Sequence, residues 1–147
     1  MAPVTLPEIK PGLVVFLDTA RLRKVGGSET NAVRSPADRA VTGPHHFLIL
    51  QVDNAMCLAV PLFSEPARDR DLLDASKKGG TLSKWLRGVH NASWYQHWRI
   101  PLAAVVQASI VEETQATDRC TYAAGDPATL TSLAERVKKN RCAFTAL

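Results

Sequence analysis

Histidine has an unperturbed pKa close to neutral pH, so it is the natural proton donor or acceptor in a catalytic site. This sequence contains four histidines: His45 and His46 are adjacent, and His90 and His97 are separated. Because neighbouring side chains of a strand point to opposite faces, His45 and His46 are not expected to share a site. The histidines match no recognised metal-ligand spacing, and glycine motifs for phosphates or dinucleotides are also missing. The pattern predicts acid–base chemistry with no metal and no cofactor.

An acid-free stretch runs from residue 75 to residue 111 and contains every tryptophan of the chain. Its five basic residues are Lys77, Lys78, Lys84, Arg87 and Arg99. Cations attract phosphates and exposed aromatic rings stack on unpaired bases, so this composition is typical of a groove for single-stranded RNA. The alternative is that the tryptophans are core residues and the cations form an ordinary solvated face. Core burial is the favoured interpretation for Trp94 and Trp98.

Residues 94–100 (WYQHWRI) alternate as the residues of a strand do. Tyr95, His97 and Arg99 would then share one face, opposite the tryptophans. On this face Arg99 would hold a phosphate through two parallel hydrogen bonds, Tyr95 would stack or donate a hydrogen bond, and His97 would carry a proton. The residues that we predict to bind RNA are Arg99, Tyr95, Lys84, Arg87 and Arg34.

Metal-independent cleavage of RNA requires three groups: a base for the 2′-hydroxyl, an acid for the leaving oxygen and a cation for the phosphate. His45 or His46, together with His97 and Arg99, would supply this set if their strands lie side by side. The catalytic hypothesis therefore depends on how the strands pair.

Short apolar runs bounded by turn-forming residues predict β-strands in the first half of the chain. The runs cover residues 13–17, 46–52 and 56–63, and the last two should form an antiparallel hairpin because a short turn separates them. A further strand is expected within residues 102–111. Near the end of the chain, Asp126 is a candidate N-cap, and Pro127 fits the first position of an amphipathic helix that extends to Lys139.

These elements predict one domain over residues 1–147, mainly β with α: a small SH3-like, mostly antiparallel β-barrel with a C-terminal helix. Residues 19–43 are expected to form a long basic loop, because they lie between two predicted strands and contain five basic and two acidic residues. Residues 65–92 are expected to form an interrupted middle segment.

Three short motifs follow one another in the first half of the chain: residues 10–18 (KPGLVVFLD), 43–50 (GPHHFLIL) and 60–64 (VPLFS). Together with the terminal helix, they resemble the MazF/PemK family of toxin endoribonucleases. The resemblance implies an SH3-like barrel, cleavage of RNA without a metal, a homodimer, and an acidic antitoxin-like protein as partner.

The chain differs from this family at the residues that do the chemistry. Gly43 occupies the position of the family's catalytic arginine and Phe63 that of its catalytic threonine, while Ser64 of the motif is kept. If cleavage persists, histidines must supply it, so the candidate catalytic residues are His45, His46, His97 and Ser64. Two functions remain open: an RNA-acting toxin-like protein, or a non-catalytic SH3-like module that binds an acidic protein segment.

Charge and cysteine content restrict the cellular setting. The chain has 18 basic and 14 acidic residues, a net charge of +4, and no apolar run near the ~20 residues of a membrane span. Its three cysteines are an odd number without close spacing, which agrees with a reducing compartment. No charged-then-apolar leader opens the chain, so we expect a cytoplasmic protein without membrane contact.

Overall fold

The computed structural model describes residues 4–32, 40–110, 119–139 and 145–146. Arg34, which the sequence predicts to bind RNA, lies outside these residues. The strands in the described ranges are β1 (Val14–Asp18), β2 (Glu29–Thr30), β3 (Pro44–Asp53), β4 (Met56–Phe63), β5 (Arg70–Leu72), β6 (Lys78–Gly79), β7 (Asn91–Ser93), β8 (Trp98–Pro101), β9 (Thr121–Tyr122) and β10 (Thr145–Ala146). The α-helices there are α1 (Thr19–Val25), α2 (Ser83–Arg87), α3 (Leu102–Ala108) and α4 (Pro127–Lys139), with 3₁₀ turns at Leu6–Glu8 and Ala75–Lys77.

The predicted class, mainly antiparallel β with helices, is confirmed. Six strands follow the order β1-β3-β4-β8-β2-β10, β7 joins the end of β4, β5 pairs with β7, and β6 and β9 pair separately. One edge of β4 bonds to β3, whereas its other edge is divided between β8 at residues 56–59 and β7 at residues 62–63. The sheet is therefore branched, and the described strands do not close into the expected barrel.

The hairpin of β3 and β4 is confirmed. Asp53 pairs with Met56, and Asn54 between them has a φ of 49°, a left-handed conformation that asparagine tolerates better than most residues. The register shifts between Ile49 and Gln51, so Leu50 is the extra residue of a bulge. Ile49 and Leu50, although they are neighbours on a strand, are both buried, because they belong to apolar clusters on opposite faces of the sheet.

Helices cover both faces of the sheet, and the described residues form an apolar cluster on each face. On the face that we call the α4 face, Val14, Leu48 and Val60 pack with residues of α2 and α4. On the opposite face, the α3 face, Phe47 and Ala59 pack with residues of α1 and α3. A strand covered on both sides does not need alternating polarity, which explains the continuous apolar run in β3.

The expected long loop over residues 19–43 is wrong in its first half. The Asp18 carboxylate accepts a hydrogen bond from the Ala20 amide at 3.0 Å and caps α1, whose Leu22 is fully buried. Further along, β2 pairs with β8. The helix is short and rich in arginine and lysine, so a single buried leucine is its main apolar signal.

Two strand predictions in the second half are also corrected. Residues 102–108 form α3 and not a strand. Ala104, Val105 and Ala108 follow helical spacing and are buried in the apolar cluster of the α3 face, which also contains Leu22 of α1. The predicted strand over residues 94–100 is interrupted: β7 ends at Ser93, whose hydroxyl accepts a hydrogen bond from the Gln96 amide at 2.8 Å. Pairing resumes only at Trp98. Within the described ranges, no helix is long and apolar enough to cross a membrane.

The terminal helix begins as predicted. Asp126 accepts hydrogen bonds from the amide and the hydroxyl of Thr129, at 3.3 and 2.6 Å, and Pro127 occupies the first position of α4. Leu130, Ala134 and Val137 form the buried face of the helix. Both the N-cap and the apolar period can be predicted from the sequence because they are local signals.

Glu8 and Arg119 form an ion pair that joins the first 3₁₀ turn to the residues before β9. The guanidinium donates from Nε to Oε2 at 2.7 Å and from Nη2 to Oε1 at 3.2 Å. This hydrogen bonding lowers the pKa of Glu8 to about 2, although partial burial acts in the opposite direction. The folded state therefore favours the Glu8 carboxylate.

We expect Glu8→Gln to lower the free energy of unfolding at pH 7 and to have a smaller effect in acid. A lowered folded-state pKa gives stability that is present above the ordinary value of 4.5 and is lost as the pH falls to about 2. Urea unfolding at pH 7, 4 and 2.5 measures this, with the exposed Glu135→Gln as control. An equal effect of Glu8→Gln at all three pH values would contradict the prediction.

Candidate functional site

The adjacent histidines face opposite sides of the sheet, as strand periodicity predicts. The ring of His46 lies against Phe16, its partner across β1 and β3, with 4.4 Å between ring centroids. The ring of His45 contacts Phe63 at 5.1 Å and Phe47 at 5.9 Å. The two histidines therefore belong to different environments.

His46 lines an open cleft of about 790 Å³ on the α4 face, which we call the His46 cleft. The cleft lies among β1, β3, the segment containing α2, and His90. The residues that line it are Val14, Phe16, His46, Thr81, Leu82, Ser83, Lys84, Trp85, His90 and Cys120. None of these lining residues is acidic, while Lys84 contributes an exposed cation. Such a surface favours an anionic ligand.

His90 is the second histidine of the cleft and directly precedes β7. It is half-buried, and its ring packs on Trp85 with 4.6 Å between centroids. Its Nδ1 is 2.7 Å from the Lys78 ammonium. Burial, the largest cause, and the charges of Lys78 and His46 together lower the pKa of His90 to about 4, while a hydrogen bond to the Gly88 backbone acts in the opposite direction. His46 is thus close enough to His90 to influence its ionisation.

The tryptophans are structural, which supports the core interpretation. Trp85 is buried, and its Nε1 donates to the carbonyls of Gly79 at 3.1 Å and Thr121 at 3.2 Å. Trp98 is completely buried, and Trp94 is half-buried beneath the Arg136 guanidinium, 4.9 Å from the ring centroid. Besides the two histidines, the aromatic residues that line the cleft are Phe16 and Trp85.

His97 does not line the His46 cleft. It is buried, its amide donates to Asn31 Oδ1 at 2.8 Å, and its Nδ1 lies 2.8 Å from the Tyr95 carbonyl. That carbonyl also accepts a hydrogen bond from Asn31 Nδ2 at 2.6 Å. Burial lowers the pKa of His97. Hydrogen bonds of His97 and Tyr95 with Asn31 therefore hold the segment before β8 in place.

The expected shared face of Tyr95, His97 and Arg99 is not formed. Arg99 is exposed on β8, opposite Leu58 of β4 and Glu29 of β2, whereas His97 is buried. The bend after Ser93 removes the alternation on which that prediction depended. Arg99 does not line the His46 cleft, and its role in binding RNA stays a prediction. The same holds for Arg87, which is exposed at the end of α2.

His45 and Ser64 lie at a second place, the end of β4 where the family resemblance located its motif. His45 Nε2 is 2.8 Å from the Leu62 carbonyl, and burial lowers the pKa of His45. The Arg70 guanidinium covers the Phe63 ring at 3.6 Å, and Ser64 is exposed. The Phe63 ring thus contacts both His45 and Arg70. Neither His45 nor Ser64 lines the His46 cleft.

The sequence predicts His46 and Lys84 as functional residues, but it does not predict that His90 and Lys78 lie at the same cleft. In the described part of the chain, no group of three or more His, Cys, Asp or Glu side chains is arranged to hold a metal ion. Comparison of the chain with protein-family models, curated proteins and solved structures finds no match.

Proposed function

We propose that this chain is a toxin-like endoribonuclease that binds single-stranded RNA in the His46 cleft and cleaves it without a metal ion. The observation that carries the proposal is that two histidines from distant parts of the chain, His46 and His90, share one cleft with Lys84. Two imidazoles and an ammonium, with no carboxylate among the described residues that line the cleft, are suited to a phosphodiester, which is anionic and reacts by proton transfer.

Each of the three groups has a distinct role in the proposed reaction. His46 accepts the proton of the 2′-hydroxyl while the 2′-oxygen forms a bond to phosphorus. Lys84 attracts the phosphate and its ammonium gives a proton to the 5′-oxygen as the P–O5′ bond breaks. His90 donates a hydrogen bond to a non-bridging phosphate oxygen. The products are a 2′,3′-cyclic phosphate and a 5′-hydroxyl, so atoms and charges balance.

The size and shape of the cleft suit a short piece of single strand. Its volume of about 790 Å³ lies within the range of small-molecule sites, roughly 300–1,000 Å³. Unstacked bases of single strands are accessible to such clefts, whereas a duplex hides them. The chemistry also requires the 2′-hydroxyl, so DNA of the same sequence would bind without being cleaved.

Incubation of a labelled RNA oligomer with the protein in EDTA tests the proposal. We expect fragments that end in 2′,3′-cyclic phosphate, and no fragments from an all-deoxy oligomer of the same sequence. Growth arrest on expression would agree with the toxin-like character. An RNA that is neither bound nor cut contradicts the proposal and favours the alternative function, binding of an acidic protein segment.

Lys84→Ala is expected to weaken RNA binding and to reduce its salt dependence. Loss of one phosphate contact lowers the slope of log K against log salt by about 1. Fluorescence anisotropy between 50 and 300 mM salt measures this. Lys24→Ala is the matched control, because Lys24 is also exposed but lies in the last turn of α1, on the α3 face. If both variants change binding equally, RNA is attracted by overall charge and not by the cleft.

A further inference from the structure

Lys78 lies behind the His46 cleft, where its ammonium meets three partners. Nζ is 3.0 Å from the Trp85 carbonyl, 2.7 Å from the Gly88 carbonyl and 2.7 Å from His90 Nδ1. An ammonium has three hydrogens and accepts no hydrogen bond, and carbonyl oxygens only accept. The three partners therefore use the three hydrogens of the ammonium, one of which points at His90 Nδ1.

This arrangement determines where the proton of His90 lies. A ring nitrogen that accepts a hydrogen bond carries no hydrogen of its own, so the neutral ring is protonated at Nε2. We propose that Lys78 is a positioning residue that holds His90 in its Nε2–H form, so that His90 donates a hydrogen bond to the substrate phosphate while His46 carries the reacting proton. This assignment rests on the function proposed for the cleft.

The electrostatics of the cleft support this division of roles. Protonation of His90 would place a second cation beside Lys78, and His46 from β3 adds to the repulsion. Burial of the ring is the largest cause that lowers the pKa of His90 to about 4, and this repulsion adds to it, while a hydrogen bond to the Gly88 backbone acts in the opposite direction. The ring is therefore neutral at physiological pH. Among the described residues that line the cleft, α2 contributes the ammonium of Lys84. A neutral N–H donor can stabilise charge that develops on a phosphate oxygen without exchanging a proton.

A purely structural role for Lys78 would have different consequences. Its bonds to Trp85 and Gly88 hold the end of α2, and the ammonium lies 4.5 Å from the centroid of the Trp85 ring. If the ammonium only stabilised α2, the ring of His90 would be free to adopt either tautomer. Which ring nitrogen of His90 carries the proton therefore distinguishes a positioning role of Lys78 from a purely structural role.

Long-range ¹H–¹⁵N spectra of the wild-type histidines provide the first test, since they report each ring nitrogen without any RNA. At pH 7 we expect His90 Nε2 to carry the proton and Nδ1 to carry none, a state that persists down to about pH 4. A His90 ring protonated at Nδ1, or one that titrates near 6.5, overturns the proposal. This measurement requires no substitution, so it does not depend on the folding of a variant.

Lys78→Met provides the second test, with Lys77→Met as its control. Lys77 is the neighbouring lysine, but its ammonium binds Asp126 at 3.2 Å and Thr129 at 2.7 Å. We expect the titration midpoint of His90 to rise above about 4 in Lys78→Met alone, but to stay below 6.5 because burial, the largest cause of the lowered pKa, remains. In the same variant the Nε2–H tautomer should no longer be the single form of His90 at pH 7. A His90 ring that keeps a single Nε2–H tautomer in folded Lys78→Met overturns the proposal.

The two tests also separate this inference from the proposed function. Correct ring protonation in a protein that does not cleave RNA would refute the endoribonuclease, and with it the catalytic part of the inference. Cleavage of RNA by a protein whose His90 carries its proton on Nδ1 would refute the positioning role of Lys78 alone.

Discussion

His46→Ala is expected to lower kcat for RNA cleavage by about 10²–10⁴-fold, the usual contribution of a general acid or base. His90 Nδ1 lies 2.7 Å from the Lys78 ammonium, and the proposed reaction therefore assigns the reacting proton to His46. KM should change little, because the ring contacts the substrate mainly as the proton moves. Single-turnover cleavage in EDTA measures the rate constant directly.

His45→Ala is the matched comparison for His46→Ala, since it removes the same side chain from the neighbouring position. The two rings face opposite sides of the sheet, and His45 contacts Phe63 and the Leu62 carbonyl. A loss of activity in His45→Ala with little change in His46→Ala would move the site to the end of β4. It would also restore the location that the family motif suggested.

Trp98→Ala is expected to lower the free energy of unfolding by about 3–5 kcal/mol, the range for large aromatic residues in a core. Trp98 is completely buried, with its ring edge-on to Phe47 at 5.4 Å. Its Nε1 donates to Gln96 Oε1 at 3.0 Å, and the same oxygen accepts the Val41 amide. Urea unfolding followed by circular dichroism measures the loss.

Arg99→Ala, one residue further along β8, provides the control for Trp98→Ala. Arg99 is exposed, and substitutions at exposed positions usually change stability by less than about 0.5 kcal/mol. A Trp98→Ala variant that keeps its stability but loses RNA affinity would show that Trp98 stacks on bases. Loss of RNA affinity in Arg99→Ala would instead extend the RNA site beyond the cleft.

The features that the sequence predicted correctly are those with local signals. The hairpin of β3 and β4 follows from two apolar runs around a turn, and α4 follows from a cap, a proline and one apolar face. The short helices α1 and α3 were missed for opposite reasons. The first has one buried leucine among basic residues, and the second is so apolar that it resembles a buried strand.

The site was only partly predictable because its members meet through long-range pairing. Strand periodicity was sufficient to separate His45 from His46. His90 lies beside His46 because β7, which begins directly after His90, pairs with the end of β4. The alternation in residues 94–100 suggested His97 instead, since a bend stabilised by a serine hydroxyl leaves no trace in hydrophobic periodicity.

The shortness of α2 has a consequence for how the cleft moves. A five-residue helix does not persist by itself in water, so α2 depends on the burial of Trp85 and on the ammonium that binds the Trp85 and Gly88 carbonyls. Because α2 depends on these two anchors, we expect this wall of the cleft to open below the free energy of global unfolding. A ligand that contacts Lys84 would slow the amide hydrogen exchange of α2 and leave the exchange of β3 unchanged.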